Sequence, residues 1–405
     1  MRAPPLIPAA AARRLFLSAQ GLLGEPTQPA SGTELAALRQ VIAGLGFVQL
    51  DSINTVARAH DLILWSRLPG YTPALLDQLI YKERFLFEHW THDASVIPTA
   101  FYPHWRHRFV RDAARLRERP WWRNLLGADC DAVIEQVKDR IRKEGPLRSA
   151  DFEHPERRGP FWDWKPQKAA LEYLWRTGEL MVSDRVHFHK IYDLSENVLP
   201  AAHRLPAPEQ AASQTWACQT AAERLVIFTP RELAQFFDHI DLASARSFCA
   251  AATRSGALRP VLVESADGEK PEEALALYDW ERRLRKLPEP TLGRSGQQPL
   301  RLLCPFDPVI RDRARCLRRF GFDYRFEAFT PEPKRLYGYY VLPILQGETL
   351  VGRLSPKLHR RSSVLEIEGL WWERGIKTTK SRQRLLADAV AGLAAFVGAR
   401  SVTGL

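Results

Sequence analysis

The sequence lacks long apolar runs and paired cysteines. No stretch of the 405 residues contains the roughly 18 consecutive apolar residues that a membrane-spanning helix needs. Only Leu15-Phe16-Leu17 follows the Arg13-Arg14 pair, which is shorter than the apolar core of about 7–15 residues in a signal peptide. The five cysteines are scattered and form no C-x-x-C pattern, which argues against a disulfide framework or a structural zinc site. We therefore expect a cytoplasmic protein in a reducing compartment, with no membrane partner.

The common motifs of nucleotide, metal and serine catalysis are also missing. The chain has no P-loop, no H-E-x-x-H and no G-x-S-x-G, and Gly44-Leu45-Gly46 lacks the third glycine of a dinucleotide-binding motif. His89-x-x-His92 and His104-x-x-His107 each supply two imidazoles, but neither has a third ligand nearby in sequence. The sequence therefore predicts no metal site and no cofactor.

Lysine is scarce, whereas arginine is abundant. The chain has 46 Arg and 12 Lys against 47 acidic residues, which gives a formal net charge of +11. Arginine binds phosphates in a bidentate manner and stacks on flat rings, so the excess suggests a polyanionic partner. Codon bias in a GC-rich genome would explain the composition equally well. The positive charge gathers in residues 101–126, where seven arginines stand against two acids, in Arg311, Arg313, Arg315, Arg318 and Arg319, and in Lys357, Arg360 and Arg361.

Hydrophobic periodicity divides the chain into four segments, 1–125, 126–205, 206–290 and 300–405. In the first segment, it predicts helices over 10–22, 75–81 and 103–116 and a strand over 85–90. A further helix is expected to start at the capping box Ser31-x-x-Glu34 and to stop at Gly44-Leu45-Gly46.

The second segment has the clearest pattern. It predicts a helix over 131–143, a break at Gly145-Pro146 with a short helix after it, and a longer helix that begins at Pro166. Strands follow over 180–183 and 185–192, with Asp184 at the turn and His187 and His189 on one side. This order is typical of a winged helix-turn-helix, whose long helix enters the major groove of DNA. We expect Lys168 and Arg176 on its exposed face to contact DNA, although Arg176 could instead pair only with Glu172.

The last two segments show weaker patterns. The third is predicted to contain helices over 230–237 and 242–254 and strands over 258–264 and 275–280, which resemble another wing. A linker rich in proline and glycine covers 288–298. Alternating residues over 300–370 predict β structure, with strands over 336–345 and 349–354, and a terminal helix covers 381–397.

The stretch from Gly46 to Tyr71 carries polar residues where a buried strand should be apolar. In an extended chain, Gln49 and Asp51 share a face, while Leu50 points to the opposite side. An amide can orient a water molecule that a neighbouring carboxylate deprotonates. Alternatively, Asp51 caps a helix that starts at Ser52, and Gln49 satisfies a backbone group. The residues alone favour this alternative.

This stretch resembles the YcaQ/AlkZ-type winged-helix DNA glycosylases, bacterial enzymes that unhook interstrand crosslinks. Their catalytic motif is a Gln-apolar-Gln or Gln-apolar-Asp pair, and Gln49-Leu50-Asp51 has the Gln-apolar-Asp form of the YcaQ-like branch. The similarity extends over nearly the whole chain. Further similar segments are Ala57-Arg58-Ala59-His60, Leu64-Trp65-Ser66-Arg67-Leu68-Pro69, Glu88-His89-Trp90-Thr91-His92, Pro305-Phe306-Asp307-Pro308 and 334–343.

The resemblance implies an α+β fold with three tandem winged helix-turn-helix units, which form a C-shaped DNA-binding scaffold with a C-terminal β-rich part. The units correspond to 1–125, with the catalytic motif, 126–205 and 206–290, and the β-rich part to 300–405. It also implies a β-hairpin that probes the duplex, which the sequence does not place. A monomer suffices for the chemistry, so we expect a monomer.

The implied activity is that of a monofunctional DNA glycosylase that releases cationic N7-alkylated purines and unhooks interstrand crosslinks in double-stranded DNA. Asp51 would stabilise the sugar cation and activate water, and Gln49 would position that water. No lysine lies between Met1 and Tyr81 to form a Schiff base near the motif. The alternatives are a winged-helix transcriptional regulator without catalysis and an enzyme that acts on RNA. The predicted DNA-binding residues are Arg58 and His60, which could instead shape the site, together with Arg67, His92, Lys168, Arg176, Lys357, Arg360 and Arg361.

Overall fold

A computed structural model describes residues 3–126, 129–152, 166–288 and 298–405. The chain forms two compact units. The first consists of Met1–Leu75, Cys218–Phe236 and Ile240–Leu405, and the second of Leu76–Ala217 and Phe237–His239. The division into three winged-helix units and a β-rich part stays a prediction, because one compact unit can contain more than one winged helix.

Helices and strands alternate along the chain in an α+β manner. The helices are α1 (Ala9–Ala19), α2 (Glu34–Leu45), α3 (Ala59–Trp65), α4 (Pro73–Asp77), α5 (Tyr102–Glu118), α6 (Pro120–Leu126), α7 (Cys130–Glu144), α8 (Pro166–Arg176), α9 (Ser195–Val198), α10 (Gln210–Leu225), α11 (Pro230–Phe237), α12 (Leu242–Arg254), α13 (Trp280–Lys286), α14 (Pro308–Arg311), α15 (Arg313–Phe320) and α16 (Lys380–Phe396). The strands are β1 (Leu6–Ile7), β2 (Val48–Gln49), β3 (Leu86–Trp90), β4 (Ala94–Pro98), β5 (Leu147–Arg148), β6 (Leu180–Val186), β7 (His189–Leu194), β8 (Ile227–Phe228), β9 (Leu258–Val263), β10 (Glu272–Leu277), β11 (Leu300–Leu302), β12 (Leu342–Gln346), β13 (Thr349–His359), β14 (Val364–Trp372) and β15 (Ser401–Thr403).

Two sheets organise the first unit. One has the strand order β1-β9-β10-β8, and the other has the order β11-β12-β13-β14-β15. Strands β13 and β14 form a long antiparallel hairpin that ends at the pair His359 and Val364. Leu354 and Leu365 of this hairpin are fully buried, and α16 packs against β11 and β15 with Leu386 and Leu393 buried. The buried part of the hairpin therefore belongs to a well-packed core.

The second unit packs helices α5 to α8 around one apolar cluster. Leu171, Leu174 and Trp175 of α8 lie on one helix face at i, i+3 and i+4, and all three are buried there. The helix gives way to a turn at Gly178, where φ is +75° and an added Cβ would lie 2.3 Å from the Phe109 ring. Strands β3 and β4 form an antiparallel hairpin, and β5, β7 and β6 form a three-stranded sheet.

Several predicted elements are confirmed within a residue or two, and others are corrected. The helices predicted over 131–143, 230–237, 242–254 and 381–397 are α7, α11, α12 and α16. Helix α2 begins at Glu34 after Thr33, so the capping box at Ser31 is wrong. The helix predicted over 75–81 is the short α4 followed by a π-helical turn, and β12 begins at Leu342 instead of residue 336. Most of the predicted linker over 288–298 lies outside the described residues.

The turn of the β6–β7 hairpin also differs from the prediction. His187 and Phe188 both have positive φ, 50° and 70°, and form the turn, whereas Asp184 lies within β6 beside a bulge. Such turns usually carry Asn or Gly, and neither residue marks this one. His187 is therefore a turn residue and not a strand neighbour of His189.

Candidate catalytic site and nucleic-acid interface

The Gln49-Leu50-Asp51 motif follows a sharp turn at the end of α2. Gly46 has a φ of +84°, and its N–H donates to the carbonyl of Ile42. An added Cβ would lie 2.6 Å from Nε of Arg224, so glycine is the residue that this turn accepts. Val48 and Leu50 are buried and anchor the segment in the core of the first unit.

Local hydrogen bonding holds the carboxylate of Asp51. Gln49 is 4% exposed and Asp51 is half-buried. Oδ1 of Asp51 accepts a hydrogen bond from the N–H of Ile53 at 2.6 Å, which is the geometry of an Asx turn. The next helix begins at Ala59, so the alternative in which Asp51 caps a helix from Ser52 is wrong. The bond to Ile53 instead fixes the orientation of the carboxylate.

Two buried groups from the C-terminal part of the first unit lie near Asp51. The Tyr340 hydroxyl and the Cys304 sulfur are 3.5 Å apart, and both residues are buried. Burial raises the pKa of Cys304 to about 12, and the charge of Asp51 adds a smaller contribution. Burial also raises the pKa of Tyr340 well above its usual value, and Cys304 and Asp51 add to the effect. Both groups therefore stay protonated at neutral pH. The sequence reasoning missed Tyr340, although it lies within the family-like stretch 334–343.

The β13–β14 hairpin contacts the segment that follows Asp51. The N–H of Leu358 donates to the carbonyl of Thr55 at 3.1 Å. Nη2 of Arg360 donates to Oδ1 of Asn54 at 2.7 Å and to the carbonyl of Val56 at 3.1 Å. The predicted basic residues Lys357, Arg360 and Arg361 thus lie on a hairpin that contacts the segment after the predicted catalytic motif, and all three are exposed.

Arg58 and His60 flank the start of α3 but differ in exposure. Arg58 is half-buried at the helix N-cap. His60 is 6% exposed, and its Nε2 lies 3.7 Å from Oδ2 of Asp61. Asp61 in turn accepts a hydrogen bond from the Tyr71 hydroxyl at 2.8 Å. Of the two roles considered for His60, this burial favours shaping the site over contacting phosphates.

The structure contradicts the prediction that Arg67 contacts DNA. The Arg67 side chain is 1% exposed and forms a bidentate ion pair with Asp307, at 2.7 and 3.0 Å. Its Nε donates to the carbonyl of Gln20. Two of the family-like segments therefore meet in a buried ion pair, and the guanidinium is already bound by the fold.

The arginines of 311–319 are likewise corrected. Arg315 and Arg319 are buried, and Arg319 donates to Glu272 at 2.8 Å. Arg311 donates to the carbonyl of Phe236, and burial lowers its pKa to about 9. Arg313 donates to the carbonyls of Pro305 and Ile310. Four of these five arginines are therefore bound by backbone carbonyls and carboxylates and do not form the predicted basic surface, whereas the Arg318 side chain is 43% exposed.

In the second unit, α5 presents arginines to solvent. Arg111, Arg115 and Arg117 have side chains that are 41%, 45% and 60% exposed. The exception is Arg108, which is buried and donates to the carbonyls of Thr91, Phe237 and Asp238. The buried Asp112 carboxylate lies within 3.6 Å of Arg108, Arg111 and Arg115. Because one carboxylate balances the charge of only one of three arginines, the surface of α5 remains positive.

The predicted DNA-contacting residues Lys168, Arg176 and His92 also belong to the second unit. The Arg176 guanidinium lies 4.1 Å from the centre of the Trp90 ring and is half-buried. Glu172 accepts hydrogen bonds from Lys190 and Tyr192, so it does not serve Arg176 alone. His92 is exposed in the turn between β3 and β4, and Lys168 is half-buried on α8.

One histidine of each pair is held by other groups of the fold. His89 is buried and its Nε2 lies 3.1 Å from the carbonyl of Trp175, whereas His104 stacks on Trp216 at 4.0 Å. No group of three His, Cys, Asp or Glu side chains in the described ranges could hold a metal ion. Within the same ranges, none of the helices has the length and apolar character required to cross a membrane.

Comparisons with known proteins identify the family. The family model described as DNA glycosylase AlkZ-like matches residues 42–396. Among solved structures, the chain is similar to Streptomyces sahachiroi DNA glycosylase AlkZ, with a TM-score of 0.63 and 13% sequence identity over 99% of each chain. This likeness shows that the two chains share a fold. Since the family match covers most of the sequence, the chain belongs to the AlkZ-like DNA glycosylases and is a DNA-repair glycosylase.

Proposed function

We propose that the protein hydrolyses the N-glycosidic bond of cationic N7-alkylated purines in double-stranded DNA and unhooks interstrand crosslinks by the same reaction. The observation that carries the proposal is the half-buried carboxylate of Asp51, which the Ile53 N–H orients and which protonated Tyr340 and Cys304 accompany. A carboxylate held in this way can stabilise an oxocarbenium-like sugar and deprotonate water. The buried Gln49, two residues away, would position that water.

The leaving group explains why one carboxylate and one amide suffice. Alkylation at N7 leaves the purine positively charged, so the base departs without a strong general acid. A Schiff base would require a lysine next to the sugar. The fold brings Lys357 towards the catalytic segment, because its neighbour Leu358 bonds to Thr55. Nζ of Lys357 is bound by Glu368 at 3.2 Å. We therefore propose a monofunctional enzyme that leaves an abasic site.

A basic surface on each unit supports duplex binding. In the first unit, the β13–β14 hairpin carries Arg360 and Arg361 at its tip beside the catalytic segment, and we propose that this hairpin probes the duplex. In the second unit, we propose that α8 is a recognition helix and that Arg176 and the exposed arginines of α5 bind phosphates. Three tandem winged helices, a C-shaped scaffold and a monomeric state belong to the same proposal. The affinity should fall steeply with salt.

The decisive experiment incubates the purified protein with a duplex that contains a single N7-methylguanine or a nitrogen-mustard crosslink. Released base is measured by mass spectrometry, and abasic sites are measured by cleavage with an apurinic endonuclease. We expect base release by the wild type and a loss on the order of 10²–10⁴-fold in Asp51→Asn, which keeps the shape of the side chain but removes the base. Absence of release from both substrates by the wild type would contradict the proposal.

A second measurement tests the monofunctional assignment. Borohydride traps a Schiff base as a covalent protein–DNA adduct. We expect no trapped adduct with the wild type and near-normal base release by Lys357→Ala. An adduct that disappears in Lys357→Ala would show that the enzyme is a lyase and that Lys357 is its nucleophile.

The alternative of a regulator without catalysis conflicts with membership in a glycosylase family. An enzyme acting on RNA is disfavoured for the same reason. The duplex assay with matched RNA would separate this last alternative directly.

A further inference from the structure

One loop of the first unit exposes large apolar side chains. Phe329 is 88% exposed, more than any other large hydrophobic side chain in the described part of the chain. Leu336 is 71% exposed and Tyr339 is 37% exposed on the same loop. We call residues 327–339 the aromatic loop. A soluble protein gains nothing in folding stability from such exposure, so contiguous exposed apolar residues mark contact surfaces.

The aromatic loop is fixed from within, so this exposure is built into the fold. The carboxylate of Glu327 is buried and accepts hydrogen bonds from the N–H groups of Leu336, Tyr337 and Gly338 at 2.8 to 3.3 Å. The Glu327 carbonyl accepts from the N–H of Thr330 at 2.9 Å. A 3₁₀ turn over Glu332–Lys334 spans the middle of the loop. Both ends of the loop are thereby tied to a single buried side chain.

A row of aromatic rings links Phe329 to Tyr340, whose pKa the charge of Asp51 influences. The Phe329 and Phe326 ring centroids are 6.0 Å apart, and so are those of Phe326 and Tyr340. The Tyr340 ring continues to its hydroxyl, beside Cys304 and near Asp51. Phe329 is therefore two ring contacts away from Tyr340, whose hydroxyl contacts the Cys304 sulfur.

We propose that the aromatic loop is a wedge that inserts Phe329 into the base stack next to the lesion. The inference rests on the proposed function. Proteins that bend or open DNA insert apolar side chains between base steps and so unstack them. A purine crosslinked to the opposite strand cannot swing fully out of the duplex, so partial unstacking beside it is the available way to reach its sugar. Arg325 and Lys334 are exposed on either side of Phe329 and suit the adjacent phosphates.

The first measurement reports unstacking directly. A duplex carries 2-aminopurine next to the lesion, and the protein is full-length Asp51→Asn, which holds the substrate uncleaved. We expect a rise in 2-aminopurine fluorescence on binding, which Phe329→Ala removes and Phe329→Leu partly restores. Leu205→Ala, which truncates another exposed apolar residue, is the matched control and should leave the rise intact. No rise with intact Phe329 would overturn the proposal.

The second measurement separates unstacking from active-site support. Single-turnover base release is compared on a paired duplex and on the same lesion in a bulge, where the base is already unstacked. Phe329→Ala should slow release on the order of tenfold to hundredfold on the paired duplex and less than threefold on the bulge. The wedge proposal would be overturned if Phe329→Ala released the base from the paired duplex at the wild-type rate. It would also be overturned if the variant lost the same factor in rate on both substrates. If the wild type releases no base at all, the proposed function fails, and the fluorescence measurement still decides the wedge.

Discussion

Helices α5 and α15 are both dense in arginine, yet the fold uses these side chains in opposite ways. On α5, Arg115 and Arg117 have side chains that are 45% and 60% exposed. On α15, Arg315 and Arg319 are 7% and 2% exposed. Composition and local charge density are alike in the two regions. What differs is how deeply each guanidinium is buried with its partners, because Arg115 and Arg117 also lie near carboxylates but keep most of their exposure.

This comparison explains how a net charge of +11 divides between stability and binding. The buried arginines satisfy backbone carbonyls and form ion pairs, and they cannot bind a phosphate without leaving those partners. The exposed arginines share few carboxylates, so their charge is available to a polyanion. Substitutions in each class test whether buried and exposed arginines differ in function as they differ in burial.

The largest expected effect concerns the buried class. Asp307→Ala leaves the Arg67 guanidinium buried without its carboxylate, and the N–H of Val309 loses its acceptor. Breaking a buried pair by removing one partner costs about 3–5 kcal/mol. We expect urea denaturation to show a fall of this size in the free energy of unfolding. The matched control is Glu366→Ala, which removes the exposed partner of His359 and should cost less than about 1 kcal/mol. An equal cost for the two variants would contradict the distinction.

The next prediction concerns the inner face of α5. It packs on two buried histidines, since His89 contacts Phe109 and His239 contacts Trp105. Burial, with a smaller contribution from nearby Arg108, lowers the pKa of each to about 3. An unfolded histidine titrates near pH 6.5. Between pH 6.5 and 3, the unfolded state therefore binds more protons, and the free energy of unfolding falls as the pH falls.

The measurement is urea denaturation at several pH values across that window, followed by tryptophan fluorescence. His239→Gln removes one of the two buried histidines that bind a proton only when the chain unfolds. The free energy of unfolding should therefore depend less steeply on pH in this variant. His189→Gln, at an exposed position, should leave the dependence as in the wild type. If the free energy of unfolding changed with pH equally in the wild type and in His239→Gln, His239 would bind its proton in the folded protein as well.

A smaller effect is expected for the exposed class. Arg115→Ala should lower the affinity for duplex DNA and reduce the slope of log K against log salt by about one, as expected for one lost phosphate contact. Its unfolding free energy should change by no more than about 0.5 kcal/mol. Arg318→Ala on α15 is the matched comparison, because the two side chains are 43% and 45% exposed and each lies near one carboxylate, at 3.3 and 3.4 Å. We expect its salt slope to stay as in the wild type, since its neighbours Arg315 and Arg319 are buried. A salt slope that falls in Arg318→Ala would assign α15 to the DNA surface after all.

The same contrast shows how much the sequence could predict. Regular elements were predicted well, because one buried face repeats along α7, α12 and α16 and leaves a periodic pattern. Residues outside such a repeating face carry no such signal, so Arg67 and Arg360, which both lie in turns, looked alike in sequence. Their difference arises from Asp307 and Asn54, which lie 240 and 306 residues away along the chain.

The candidate site was predicted in part. Gln49 and Asp51 stood out because polar side chains interrupt a buried stretch, and the family resemblance gave them a role. Tyr340 and Cys304 were missed, because no local pattern links residues that only tertiary packing brings near Asp51. The β13–β14 hairpin was missed as well, since its contact with Thr55 depends on the register of β13.

The smallest effect is expected at Arg176, which stands between the two classes. It is half-buried over the Trp90 ring, and its Nε lacks a hydrogen-bond partner among the described residues. Burial is the main cause that lowers its pKa, while the charges of Glu172 and Asp112 raise it and that of Arg115 lowers it, so Arg176 lies within electrostatic reach of α5. Arg176→Lys keeps the charge but loses the flat stacking group, which contributes about 0.5–1 kcal/mol at such a site. We expect DNA affinity within about threefold of the wild type for Arg176→Lys and a larger loss for Arg176→Ala, measured by fluorescence anisotropy. If Arg176→Ala lowered only the free energy of unfolding and left DNA affinity unchanged, Arg176 would belong with Arg67 among the structural arginines, and α8 would lose its proposed phosphate contact.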